Sequence, residues 1–471
     1  MLRLMTRNCA WWRAPQGWES DDPDLARLRD SPLGYKPAVL ADIEPDGLYV
    51  LRGPRRVGKS VAVKRTISDL IHGGVHPRRI IHFACDGRKA PELRQIQRVG
   101  RDQATAGITE PRYWFLDEIT AVAGWPSELK WLRDNTEMQH DCVVLTGSSS
   151  RDLDDARKEL AGRRGEASPS DRLLLPMSFK TFCQQFRPVS ELPDVGVIRA
   201  ADFLGAPCRE AVQVMVPWLD QLVSLWEVYC GCGGLPPAVA GQLLAGEPSR
   251  TFVTDLFDIV HGDALGRGSL STTQSLVLLN EITKSLTSFM NMSHVARELG
   301  VDQKTAAQRV ADLIDNYLVW PCHQRGTHAF PHLAAQSKHY FTDPLLAHVA
   351  HLRNSALPAP DTSVMSEQQI GQHLVRQAAG GDPGSYGDFT SVMCVRTRAR
   401  KEVDFLGSVT GAIGFEGKYS DTKLEQESAT VRSVCGGRGV LATRATVGTS
   451  KAVQTDVRFI PAAFVAYLLS D

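Results

Sequence analysis

The stretch LYVLRGPRRVGKSVAVKRTISDLI, Leu48 to Ile71, constrains this chain more than any other. A short apolar run closes on glycine, and a pattern with helical spacing follows. Between them GPRRVGKS, Gly53 to Ser60, fits G-x-x-x-x-G-K-[ST] at every fixed position. Gly53 and Gly58 permit backbone conformations that aim several N–H groups at one phosphate. Pro54, Arg55, Arg56, Val57 and Val61 complete the cradle and the start of its helix. Lys59 reaches the outer phosphates, and Ser60 offers a hydroxyl to a divalent ion. The helix N-terminus faces the same negative charge. The bland alternative is a glycine turn with an incidental lysine. The strand before the loop and the helix after it argue against that.

Three further apolar runs follow: RRIIHFAC, then RYWFLDEIT from Arg112 to Thr120, then CVVLTGSSS from Cys142 to Ser150. Helical stretches such as SELKWLRDN lie between them. This alternation predicts an α/β fold with a parallel sheet covered on both faces. Asp117 ends the second of these runs, where a carboxylate can hold a metal ion beside the loop. Glu118 is the candidate base that polarises an attacking water. Ser148, with Thr146 and Ser149 close behind, fits a sensor of the outermost phosphate. An ordinary strand-to-loop transition is the competing reading of those hydroxyls. Arg163 and Arg164 of LAGRRG could stabilise transition-state charge, or simply sit in a solvated loop.

At 471 residues the chain is too long for one core, so two to four domains are expected. Basic and acidic residues balance at 53 each, so any nucleic-acid surface must be local. No apolar run approaches the roughly 18 residues of a membrane span. The N-terminus lacks the apolar core of a signal peptide. Ten cysteines are scattered without paired spacing, and Cys230 and Cys232 have no second pair to complete a zinc site. They read as reduced, mostly buried thiols of a cytoplasmic protein. His373 has no ligand spacing either.

Residues 1–46 read as an irregular lead-in with one short helix, and 47–200 as the phosphate-loop domain. Residues 201–355 look helical. Within them SHVARELGVDQKTAAQRVADLIDNYLV resembles a helix-turn-helix of a winged-helix domain, with its turn at Gly300. Gln303, Lys304, Thr305, Gln308 and Arg309 would face DNA; contact with protein is the alternative. A Pro- and Ala-rich linker, His351 to Ser363, precedes a mixed region over 362–471. There KEVDFLGSVTGAIGFEGKYSD places Asp404 on one strand and Glu416 and Lys418 on the next. A turn around Gly407–Gly411 would bring the three together. Two carboxylates make an oxygen site for a hard divalent ion, and a lysine beside them can position water. The basic run RTRARKE, Arg396 to Glu402, could track a phosphate backbone or form a solvated strand edge.

The set LRGPRRVGKS, FLDEI, WPSELK, LTGSSS, LAGRRG and LLLPMSFKTF resembles bacterial and archaeal AAA-type P-loop ATPases with a C-terminal domain of unknown function. Trp11, Trp12, YCGCGGLPPAV and KHYFTDPLL fit the same family. The resemblance covers nearly the whole chain. It implies ATP binding and hydrolysis with Mg2+, and suggests assembly into a homo-oligomer. D-x11-E-x-K, Asp404 to Lys418, is similar to the core of the PD-(D/E)XK nuclease fold. That implies a restriction-nuclease-like C-terminal domain, with Asp404, Glu416 and Lys418 catalytic, Asp404 and Glu416 holding metal, and DNA as partner. Active members often add a helix glutamate. The position matched to it here is Gln372, with Glu367 about a turn and a half earlier. The site is thus open between complete, altered and dead, and a nucleotide switch that binds DNA or protein without cutting stays beside the nuclease reading.

Overall fold

A computed structural model describes residues 1–103, 110–149, 158–165, 167–265, 270–381, 383, 386, 389–399 and 401–470. Ser150 and Arg400, both within stretches singled out above, lie outside them. The chain forms two compact units. The first is Met1–Leu175 with Asp315–Tyr317, and the second is Pro176–Ile314 with Leu318–Asp471.

The first unit is built on a five-stranded sheet of order β2-β3-β4-β1-β5, with β1 Leu48–Arg52, β2 Ile80–Ala84, β3 Tyr113–Asp117, β4 Cys142–Thr146 and β5 Asp171–Leu173. Every pairing is parallel. The apolar runs are strands because burial on both faces rewards Val, Ile, Leu and aromatics at every position. The lead-in is more regular than its composition suggests. It folds into α1 Leu2–Asn8, α2 Trp18–Asp21 and α3 Pro23–Asp30. It caps the open edge of β2: the indole N–H groups of Trp11 and Trp12 both donate to the carbonyl of Ile80, at 3.0 and 2.9 Å. Helices α4 Lys59–His72, α5 Ala90–Gln103 and α6 Trp125–Asn135 connect the strands. Buried Arg133 of α6 donates to the carbonyls of Met138, Asp141, Asp46 and Arg163, and so staples the loops at the foot of the sheet.

The second unit begins with helices α7 Phe179–Phe186, α8 Ala206–Met215, α9 Leu219–Cys232, α10 Pro236–Ala245, α11 Arg250–Ile259 and α12 Thr272–Lys284. Next come α13 Met292–Leu299 and α14 Gln303–Asp315, with Gly300 in the left-handed region between them (φ 67°). An antiparallel ribbon of β6 Val319–Cys322 and β7 Lys338–Phe341 follows. After α15 Pro344–Arg353 and α16 Thr362–Gly381 comes a six-stranded mixed sheet. It comprises β8 Met393–Arg396, β9 Glu402–Leu406, β10 Gly414–Gly417, β11 Arg438–Thr443, β12 Gly448–Thr449 and β13 Asp456–Pro461, in the order β12-β13-β11-β10-β9-β8. Helices α17 Leu424–Val434 and α18 Ala462–Leu469 pack against it. All ten cysteines are free thiols, and only Cys435 is part-exposed. No helix among the described residues is long and apolar enough to cross a membrane.

Candidate functional site

The loop from Gly53 to Ser60 joins β1 to α4. Gly53 (φ 141°) and Gly58 (φ 100°) both take conformations that L side chains avoid. A Cβ on Gly53 would lie 2.0 Å from the carbonyl oxygen of Leu174, so only glycine lets the loop leave the sheet there. Arg55 and Arg56 are exposed, while Pro54 and Val57 are buried. Lys59 is buried, and its Nζ donates to the carbonyls of Gly53 and Pro54 at 2.9 and 3.0 Å. The loop's own oxygens thus stand where phosphate oxygens would accept. Burial pulls the Lys59 ammonium down to about 8.

Asp117 ends β3 beside the same loop, near enough for its charge to act on Lys59. Thr146 of β4 donates to its Oδ1. Burial alone would raise the Asp117 carboxyl. His82, Thr146 and Ser60 outweigh that and hold it well below the usual carboxylate range. The Ser60 hydroxyl and Asp117 therefore meet, and this pair of oxygen donors would suit a hard divalent cation such as magnesium. Glu118 follows in the left-handed region (φ 51°, ψ 46°), a strained position for a side-chain-bearing residue. Its N–H donates to Thr146 Oγ1 at 2.9 Å, and its Oε2 accepts from Ser148 Oγ at 3.3 Å. The strain turns Glu118 out of the strand while Asp117 stays in it. Thr146, a secondary choice in the sequence, is the residue that ties the two acids together. His82 is a residue that sequence reasoning missed: its Nε2 lies 3.9 Å from Asp117 Oδ2. A lone polar residue inside the apolar run RRIIHFAC was the available signal. Arg163 lies instead in a two-pronged pair with Asp134 of α6, at 2.7 and 2.8 Å.

A pH dependence follows from Lys59. The folded loop holds this proton less tightly than the unfolded chain, whose ordinary value is 10.5. The nucleotide-free fold therefore gains stability from this group as pH rises from about 8 to about 10.5. Phosphate wants the ammonium, so ATP affinity falls across the same window. Thermal melts and nucleotide titrations between about pH 7 and pH 10 check both, and Lys59→Gln should remove both trends.

The second unit gathers its own charged cluster. β9 and β10 pair antiparallel through Phe405 and Phe415, which brings Asp404 beside Glu416 and Lys418. Asp404 N donates to Glu416 Oε2 at 3.3 Å, and Gly417 N to Asp404 Oδ2 at 3.0 Å. Lys418 Nζ lies 3.1 Å from Glu416 Oε1. The acid that helix α16 brings to this cluster is Glu367, whose Oε1 accepts from Lys338 and Tyr340; Gln372 is not among these contacts. Glu367 lies over Gly417, where an added Cβ would meet its Cα and Cβ at 3.0 Å. Gly371, one turn on, faces the same way, against the rings of Phe405 and Trp320. Gln372 is rotated off this face by the helical period.

Nothing in the local pattern of KHYF points to Lys338 at this place. This β7 residue is 1% exposed. Its Nζ lies 3.0 Å from Asp404 Oδ1, 3.3 Å from Glu367 Oε1 and 3.7 Å from Glu402 Oε2. Tyr340 donates to Glu367 Oε1 at 2.6 Å. Burial would lower the Lys338 ammonium, but Asp404 and Glu367 hold it well above its ordinary range. Burial, then Asp404, pushes the Glu367 carboxyl up to about 7, and the same two causes raise Glu416. His373 is a core residue: its Nε2 accepts from Phe179 N at 3.1 Å.

On α14, Gln303, Lys304 and Gln308 are exposed. Asp312 accepts from Gln308 at 3.0 Å and from Arg309 at 2.6 Å, and Asp302 engages Thr305, so acids share this face.

Residues 46–183 match the family model of the AAA domain. With the parallel sheet and the phosphate loop, this defines the first unit as an AAA-type P-loop ATPase domain. No curated protein matches the chain. Among solved structures the chain is similar to a Walker-type ATPase of Pyrococcus abyssi, at 14% identity and TM-score 0.37, covering 71% of this chain and 95% of that one. The ORC2 protein of Aeropyrum pernix gives 13% and 0.33, over 74% and 95%. RuvB of Thermotoga maritima gives 14% and 0.24, over 58% and 81%. Likenesses this slight say nothing about activity.

Proposed function

We propose that this chain hydrolyses ATP with Mg2+ and couples the cycle to DNA binding or processing by its second unit, in a cytoplasmic setting such as defence against foreign DNA. The carrying observation is the convergence of Lys59, Ser60, Asp117, Glu118 and Ser148 on one phosphate loop. Ser60 and Asp117 would hold the magnesium, which would draw charge from the phosphates when bound. Lys59 binds the outer phosphates, Glu118 takes the proton of the attacking water, and Ser148 orients Glu118. Arg163, if it serves as an arginine finger in a homo-oligomer, must first leave Asp134.

DNA is supported by two neighbouring segments. The ribbon loop 323–337 contains no Asp or Glu, and exposes Arg325, His328, Phe330 and His332. Arg325 N donates to the carbonyl of Cys394, so the loop lies along β8, which runs into the exposed Arg396, Arg398 and Lys401. A phosphate backbone suits such a surface better than the mixed-charge face of α14. In this reading α13, α14 and the ribbon form a winged helix, and Glu367, Asp404, Glu416 and Lys418 are the PD-(D/E)XK set. The alternative is a nucleotide switch that holds DNA or a protein partner without cutting. It is favoured by the carboxylates being already engaged by Lys338, Lys418 and Tyr340.

ATP turnover measured with and without duplex DNA, beside a gel shift, tests the coupling. Stimulation of turnover, and weaker binding by Arg398→Glu, are expected. Equal turnover with and without DNA and no shift at low salt would sink the DNA reading. Magnesium-dependent cleavage lost in Asp404→Asn separates the nuclease from the switch.

A further inference from the structure

The carboxylates of the second unit already surround a cation, and that cation is a side chain of the same chain. We propose that Lys338 is the built-in occupant of the cation position between Asp404 and Glu367, so that this site takes a divalent ion only when the Lys338 ammonium is removed or withdrawn. The inference deepens the nuclease-like reading only in naming a divalent ion as the competitor; the competition itself rests on the side-chain geometry.

Donors already stand against most of the carboxylate oxygens. Asp404 Oδ1 faces Lys338, and Asp404 Oδ2 accepts from Gly417 N. Glu367 Oε1 accepts from both Lys338 and Tyr340. Glu416 Oε1 pairs with Lys418, and Glu416 Oε2 accepts from Asp404 N. Among the described residues no three His, Cys, Asp or Glu side chains converge as a metal set. Asp404 and Glu367 meet on Lys338 instead. A magnesium- or manganese-sized ion needs about six oxygens at roughly 2.0–2.2 Å. It cannot enter beside an ammonium that sits about 3 Å from two of the oxygens it would use, because the two cations repel strongly at a buried site.

Lys338 is also held from behind. Its backbone pairs with Cys322 in the ribbon and bridges to Phe289. The side chain therefore leaves its carboxylates only if the ribbon shifts or the lysine changes rotamer into solvent. Neutralising buried acids with a lysine also removes the cost of leaving them unpaired.

Mn2+ binding to nucleotide-free protein, followed by electron paramagnetic resonance and thermal melts, tests this. An Asp117→Asn background silences the nucleotide site. With Lys338 in place, no Mn2+ uptake that depends on Glu416 is expected. Lys338→Met should gain such a site, tighter by about tenfold or more, and Glu416→Gln added to it should abolish the gain. Lys338→Arg keeps the charge and should gain nothing. Equal Glu416-dependent affinity with Lys338 and with Lys338→Met overturns the proposal. Should Lys338→Met unfold without metal, Mn2+ must restore its melt, and failure to do so also overturns it. DNA cleavage is not a readout, so failure of the nuclease reading would be a separate result.

Discussion

Lys59→Ala is expected to abolish ATP turnover, a loss of at least about 100-fold, and to weaken nucleotide binding with it. The lysine is buried, and its Nζ already rests on the loop carbonyls of Gly53 and Pro54. Removing it takes away both the cation for the outer phosphates and the pin that shapes the loop. Glu118→Gln should behave differently. The amide keeps the size of the side chain and can still bond to Ser148, so ATP binds and stays. Turnover falls by about 100-fold or more because no group takes the proton of the attacking water. Phosphate release measured beside binding of a fluorescent nucleotide separates the two variants. If Glu118→Gln turns over at the unaltered rate, Glu118 is not the base.

These two residues were legible in the sequence because their chemistry is local. A phosphate loop needs glycines, a lysine and a hydroxyl within one turn, and a strand ending in Asp-Glu advertises itself. The sheet was legible for the same reason, since β1 to β4 are mostly apolar runs, with His82 the one polar residue inside them. β5 escaped notice: Asp171–Leu173 has three residues and begins with a charge that only a distant partner explains. The regular lead-in escaped because its helices are held by tertiary bonds, such as those from Trp11 and Trp12 to Ile80. In the second unit the pattern D-x11-E-x-K located half of the cluster. The contact of Glu367 with the cluster was not legible because the register of α16 is set by Gly371 and Gly417 packing against side chains far away in sequence. Lys338 could not have been found: a lysine in KHYF alternates like any strand residue, and only the fold brings it to Asp404, 66 positions on.

Arg52→Ala is expected to cost about 3–5 kcal/mol and to remove ATP binding as well. Arg52 is fully buried at the end of β1, and its guanidinium meets Asp171 of β5 at 2.8–2.9 Å. Alanine would take from the buried Asp171 carboxylate the guanidinium that meets it most closely, while Arg164 stands at 3.8 Å. The damage should reach the nucleotide site because Gly53 follows Arg52 directly and lies against the carbonyl of Leu174, the continuation of β5. The pair therefore sets where the phosphate loop starts. Asp171→Leu alone should be as harmful, since it takes away the carboxylate that the buried guanidinium meets at 2.8–2.9 Å. The double replacement Arg52→Met with Asp171→Leu restores an apolar match and should recover most of the stability, because a buried ion pair stabilises little relative to well-packed apolar side chains. Urea melts of the three variants, with nucleotide binding measured on each, decide it. If Arg52→Ala melts like the unaltered chain, the pair is incidental; if the double variant is folded yet does not bind ATP, the charges themselves shape the loop.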